Sequence, residues 1–404
     1  MGGLQTADEG DEVKRGGGRN RSYENVWVNL KARAPEHQRM ARARRQTAEQ
    51  LMAELFSSPP KVWQARIRGE ARFHSQDLLE RLLEVCHGAL PFEPRRAADV
   101  SKAALDLGHL LGQKAPNTAA VESLCRALCL GGHALRLLGD HRQADGLLAR
   151  VALFTDDPSG RAFFCRAYGL LRWDQGRTEE AEALLLHAQR RYLEMGDESE
   201  TGACAALLGL LYCESGEWDS AESALLKARS GLVARQAPWL AAHAQLALAR
   251  CLALVNRKAE AQELQQEVSS LYPSVPAKEA LVSLLWREAQ VAEALGDLTE
   301  AARVLDAVRR SYLERGFLPE ATVTTLQLSW VLACQGRRGE TVALAAKLKE
   351  VFGERPGFDV ARGALQRLSQ ETARANADDG SFLYPTLFLS FRARGVYPQP
   401  VPFI

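Results

Sequence analysis

"GLLRWDQGRTEEAEALLLHA", from Gly169 to Ala188, returns forty residues later as "GLLYCESGEWDSAESALLKA", from Gly209 to Ala228. Nine of the twenty positions are identical, and all nine are Gly, Leu, Ala or Glu. A chain that repeats small and apolar residues in register while the rest drift is recording a packing unit. The series extends in both directions. A turn residue recurs at Gly139, Gly176, Gly216, Asn256, Gly296 and Gly336, with a first step of 37 residues and four further steps of 40. Five residues after each turn stand Ala144, Ala181, Ala221, Ala261, Ala301 and Thr341. Seven before it stand Gly132, Gly169, Gly209, Ala249, Ala289 and Ser329, and twelve after it Val151, Ala188, Ala228, Val268, Val308 and Leu348.

Each unit carries two apolar stretches with helical spacing, one on either side of the turn. In 158–175 the face holds Phe164, Tyr168 and Leu171, and in 178–194 it holds Ala181, Leu184, Leu185 and Ala188. Apolar residues at i, i+3, i+4 and i+7 form one face of a helix. A Gly between them permits the positive φ that a tight turn between antiparallel helices needs. The small columns fall where the two helices cross, because a bulky side chain there would force the pair apart.

The unit "LGLLYCESGEWDSAESALLKA" (208–228), with Leu208, Gly209, Tyr212, Gly216, Ala221, Leu225 and Ala228 on its key positions, resembles the tetratricopeptide repeat. That unit is ordinarily about 34 residues long. The unit here is 40, and the excess lies in connectors such as "RRYLEMGDESETGA". The longer helices look like the repeats of bacterial transcription activators and peptide-sensing regulators. The resemblance covers about residues 117–352. Together the series and the resemblance imply an all-α, right-handed superhelical solenoid of antiparallel helix pairs.

The flanks read differently. Residues 1–38 form a basic segment expected to be disordered, Gly-rich and charged through residue 22. Ten basic and two acidic residues stand between Lys14 and Arg45. Residues 39–116 read as a helical N-terminal cap, opened by the helix "RMARARRQTAEQLMAELF" (39–56) with Arg39, Arg42, Arg44 and Arg45 near its start. A basic helix can contact phosphates. No aromatic interleaving or helix-turn-helix turn follows, so a solvated face is the plainer reading. Residues 75–90 and 95–112 read as a degenerate hairpin stacked on the first clear unit. Residues 353–404 hold a capping helix at 357–374 and a tail with six aromatic residues and four prolines between 380 and 404. The tail is expected either to pack back on the array or to dock on a partner.

Composition bounds the function. The 404 residues are 46% apolar and 25% charged with a formal net charge of +1. They fold, and no whole-molecule field selects nucleic acid or membrane. No stretch approaches the roughly 18 apolar residues that span a bilayer, and the N-terminus has no apolar signal core, so a cytoplasmic location is the expectation. Arg outnumbers Lys by 41 to 10, as a GC-rich bacterial genome would give. The eight cysteines include no CxxC, and most sit in Ala/Leu-rich helical stretches as small apolar groups. No metal or cofactor is implied. No P-loop, G-x-S-x-G, H-E-x-x-H or G-x-G-x-x-G occurs, so nothing supports enzymatic activity.

The remaining candidate site is the concave wall, lined in such arrays by the first helix of each unit. Counted from the small residue, its side chains sit at −6, −3, +1 and +4. The residues of interest there are Arg126, His133 and Arg136, then Phe163, Arg166 and Trp173, then His243 and Arg250, then Trp286 and Gln290, then Trp330. In the resembled family peptides are often held in that groove, and Trp and Arg dominate binding energy. Four Arg against the single Glu293 on these columns give the wall a positive lean. The expected partner is another protein or peptide, with an acidic group or free C-terminus beside apolar residues. The same Arg and Trp could instead serve packing between helices. A scaffold or adaptor is the first functional expectation. A regulator whose repeats sense a partner while the basic N-terminal segment contacts nucleic acid is the second.

Overall fold

All six turn positions of the series adopt positive φ in the computed structural model: 79° at Gly139, 74° at Gly176, 79° at Gly216, 67° at Asn256, 89° at Gly296 and 73° at Gly336. The backbone bonds around them repeat as well. The Gly139 amide donates to the Arg136 carbonyl at 2.9 Å, and the Asp140 amide to the Leu135 carbonyl at 2.9 Å. The same pair recurs at Gly176, with its own amide on Trp173 at 3.0 Å and that of Arg177 on Arg172 at 2.9 Å. This is the Schellman arrangement that closes a helix and satisfies its last carbonyls. After two of the turns an Asp begins the next helix, with Asp140 accepting from the Gln143 amide and Asp297 from the Glu300 amide, each at 3.0 Å.

The structure describes residues 17–347 except 91–92, 115–117, 152–157, 233–237, 271, 275–277, 315–317, 338, 342 and 345, and the side chains of 17–35, 37, 114, 118, 230, 238–239, 274, 278–280 and 318–319 are outside that description. Among the described residues all regular structure is helical. The paired helices are α5 (Thr118–Leu137) with α6 (His141–Val151), and α7 (Pro158–Asp174) with α8 (Thr178–Glu194). Then come α9 (Glu198–Ser215) with α10 (Trp218–Leu232), α11 (Pro238–Leu254) with α12 (Lys258–Ser269), and α13 (Lys278–Leu295) with α14 (Leu298–Glu314). The first helix of a sixth unit is α15 (Leu318–Cys334). First helices also pack on one another between units, α5 on α7, α9 on α11 and α11 on α13, which makes the array a solenoid of stacked pairs.

The small columns mark the crossings. A Cβ at Gly132 would lie 2.7 Å from Leu148 Cγ, and one at Gly209 would lie 2.5 Å from Leu225 Cγ. At Gly169 it would lie 3.3 Å from the Ala181 carbonyl oxygen. Ala181 and Ala221, on the opposing helices, are completely buried. Ala181→Leu and Ala221→Leu should therefore each destabilise the fold by about 1–3 kcal/mol through overpacking. Glu179→Ala, on an exposed position of α8, should change little, and thermal melts of the three variants check the contrast.

Before the array lie α1 (Gly17–Phe56), α2 (Pro60–Gly69), α3 (Gln76–Ala89) and α4 (Pro94–Lys114). Leu55, Trp63, Ile67, Phe73, Leu82 and Leu107 share one core with Ala127, Leu130 and Ala134 of α5, so these helices and the array are continuous. One expectation needs correction. The sequence reading starts the first helix at Arg39 after a disordered segment, whereas α1 begins at Gly17 and runs through the 38/39 boundary. The stretch from Arg19 to Ala34 contains neither Gly nor Pro, and α1 continues through Pro35, whose missing amide costs it one internal hydrogen bond. Residues 1–16, the expected capping helix at 357–374 and the aromatic tail lie outside the described residues. No helix among the described residues is long and apolar enough to cross a membrane.

Candidate functional site: the seam of first helices

The wall columns run along the first helices, and their side chains reach the facing helix of a neighbouring pair. Arg126 on α5 donates to Glu80 on α3 at 2.7 Å. Arg136, further along α5, donates to Asp174 on α7 at 2.7 Å, with both side chains buried. Arg166 on α7 pairs with Glu200 on α9, and Trp173 Nε1 donates to Glu214 at 3.1 Å. His243 Nε2 on α11 lies 3.1 Å from Ser283 Oγ on α13. Trp286 Nε1 donates to Gln327 Oε1 on α15 at 2.7 Å, and Gln327 Nε2 donates to Glu293 at 2.8 Å. The columns are a polar seam that ties consecutive first helices together.

Burial follows from this role. His133, Arg136, Arg166, Trp173, His243, Trp286 and Gln290 are all buried, whereas Arg126, Phe163, Arg250 and Trp330 are half-buried. The Arg166 guanidinium lies 5.4 Å from the Phe163 ring centroid and 5.8 Å from that of Tyr192. Burial works against the Arg166 charge, and the Glu200 carboxylate outweighs it, so the guanidinium pKa is raised. His133 is pushed well below the usual imidazole range by burial and then by the Arg136 and Arg166 charges. His243 is lowered in the same way by burial and the Arg287 charge. Both imidazoles are therefore neutral at pH 7. Glu293 is pushed up by burial, which the hydrogen bonds from Gln327 and Trp330 and the Arg250 charge offset only in part.

The expected positive lean of this wall is not what the charges produce. Arg126, Arg136 and Arg166 each face a carboxylate supplied by another first helix. Counting only −6, −3, +1 and +4 omitted those acids. Asp174 stands at +5 of its unit and Glu200 at −9, and Glu80 lies before the first unit. A search for acids displaced by about one period from each wall Arg would have found them. Arg250 differs from the other three. It makes no ion pair or hydrogen bond with another described side chain, and its charge acts on Glu293.

No known family model matches the chain, and no curated protein sequence is significantly similar to it. Solved structures do match. A Rap protein in complex with competence and sporulation factor superposes with a TM-score of 0.61 at 12% identity, covering 79% of this chain and 87% of that one. What the two share is the fold. The solenoid also aligns with the apo form of RapI (TM-score 0.48, 13% identity, 78% and 86% covered) and with BtubC (BKLC) from P. vanneervenii (0.43, 16%, 59% and 92%).

Two further features of the solenoid concern chemistry. Seven of the eight cysteines, at 86, 125, 129, 165, 204, 213 and 251, are free and buried, and Cys334 is free and exposed. Burial pushes the Cys86 thiol up to about 12, well away from a reactive thiolate. Among the described residues no group of three or more His, Cys, Asp or Glu is placed to hold a metal ion.

Proposed function

We propose that this chain is a non-enzymatic interaction module of the tetratricopeptide type, which holds a segment of another protein or a peptide along the face formed by its first helices. The observation that carries the reading is the array itself. Stacked helix pairs curve so that their first helices form an extended concave surface. The Rap protein that superposes over 79% of this chain was solved with a bound factor. The contact residues proposed are those the seam leaves half-buried: Arg126 and Phe163 toward the N-terminal end, and Arg250 and Trp330 toward the C-terminal end. The remaining residues on the columns hold the wall rigid beneath them. A partner facing Arg250 and Trp330 would present a carboxylate or carbonyl beside an apolar side chain.

The test is capture by immobilised full-length protein from an extract of the organism that makes it. Arg250→Ala combined with Trp330→Phe, which keeps most of the packing of that side chain on the core, should retain the captured partner at least tenfold less well, about 1.4 kcal/mol, while a peptide-independent readout, the melting temperature, moves far less than capture does. Equal capture by the double variant would assign both residues to packing and overturn the proposed face.

A further inference from the structure

Helix α1 leaves the body of the protein. Ala48 and Leu55 on it are buried, and the helix packs there against α3. N-terminal to Ala48 the situation reverses. Glu36 and residues 38–47 are exposed without exception, on every face of more than three turns. A helix exposed all round is a rod in solvent, and α1 continues from it back to Gly17. The 12 residues from Glu36 to Thr47 span about 18 Å of helix.

The charges on the rod are one-sided in sign. Between Glu36 and Thr47 stand four Arg and one acid. Arg45 lies 3.5 Å from Glu49 and 3.7 Å from Glu84. Arg39, Arg42 and Arg44 have no acidic partner among the described residues. At about 100° per residue, Arg42 and Arg44 project about 160° apart, and Arg39 lies about 60° from Arg42. Cations therefore stand on opposite sides of the rod.

That arrangement selects among anionic partners. A helix lying in a bilayer interface needs one apolar face opposite a basic one, and a coiled-coil partner needs an apolar stripe. Within Glu36–Thr47 the only large apolar side chain is Met40, so this exposed segment itself offers neither. Two rows of phosphate on either side of a helix are what the major groove of duplex nucleic acid offers. It is about 12 Å wide and admits a rod of about 10–12 Å. We propose that the projecting part of α1 is a duplex nucleic-acid arm in which Arg39, Arg42 and Arg44 contact phosphates on both walls of the groove. The contacts are to the backbone, so binding is sequence-tolerant and strongly salt-dependent.

The experiment uses full-length protein and a labelled mixed-sequence DNA duplex of about 24 base pairs, with anisotropy read between about 50 and 200 mM salt. Wild type should bind at low salt and lose affinity steeply as salt rises. The variant Arg39→Ala/Arg42→Ala/Arg44→Ala should bind at least tenfold more weakly at low salt, with a salt slope smaller by about 3. Ala is the best helix former, and circular dichroism should show unchanged helicity. The corresponding Arg→Lys variant should restore most of the slope, because phosphate contacts need charge and a structural role would not be rescued this way. Absence of wild-type binding at low salt would overturn the proposal, as would equal binding by the Ala variant. Tighter binding to phosphatidylglycerol vesicles, lost in the same variant, would also overturn it by assigning the arm to a lipid surface.

Discussion

Arg136→Ala is expected to destabilise the protein by about 3–5 kcal/mol, the range for removing one partner of a buried ion pair. The Arg136 side chain is 0% exposed and that of Asp174 is 4% exposed. Truncation leaves the buried Asp174 carboxylate in the seam without the guanidinium that neutralises it. His133 Nε2, 3.3 Å from the same guanidinium, is neutral and cannot replace the charge. Urea unfolding of the full chain measures the change. Arg126→Ala provides the contrast. Its pair with Glu80 is 41% and 37% exposed, and exposed pairs of this kind contribute about 0–1 kcal/mol.

The second large effect lies where α9 crosses α10. A Cβ added at Gly231 would lie 2.7 Å from the Glu198 carbonyl oxygen and 2.9 Å from Gly202 Cα. Both obstacles are backbone, so no side chain can swing aside to relieve the contact. Gly231→Val should destabilise by about 3 kcal/mol, the upper end of ordinary overpacking. Gly146→Ala is the control. It lies within α6, a Cβ there meets nothing within 4 Å, and replacing an exposed helix Gly should stabilise by about 0.5–1 kcal/mol. Melting curves that shift equally for both would show that the α9–α10 crossing is looser than described.

The fold was legible because its determinants are local and repeat. A positive φ is required at one place per unit, and Gly or Asn stands there each time. The small columns were legible for the same reason, since each records a crossing within one helix pair. The role of the wall was harder to read. Arg136 and Asp174 are 38 residues apart, and Trp286 and Gln327 are 41 apart. Such pairs become visible only when the period is applied between units instead of within one. Trp173 and Trp286 illustrate the ambiguity. A buried Trp whose indole N–H needs an acceptor and a groove Trp awaiting a ligand have the same helical address, and only the presence of Glu214 or Gln327 across the seam separates them. The projecting part of α1 was missed for a different reason. Gly-rich, charged flanking sequence suggests disorder by composition, but the Gly lie before Arg19 and only Pro35 interrupts the helix-forming run that follows, a distinction of place that composition averages away.

The account stands or falls on whether the first-helix columns bond unit to unit. A double-mutant cycle on Arg136 and Asp174 tests that most directly. Unfolding free energies of the wild type, Arg136→Met, Asp174→Leu and the double variant give the coupling between α5 and α7 free of changes at either site alone. The seam predicts that each single variant is strongly destabilised. It also predicts that the double variant, with no buried charge left unpaired, loses far less than the two single variants summed, with a coupling of at least about 3 kcal/mol. Additive losses, with no coupling, would contradict the seam and return Arg136 to the groove as a side chain awaiting a ligand.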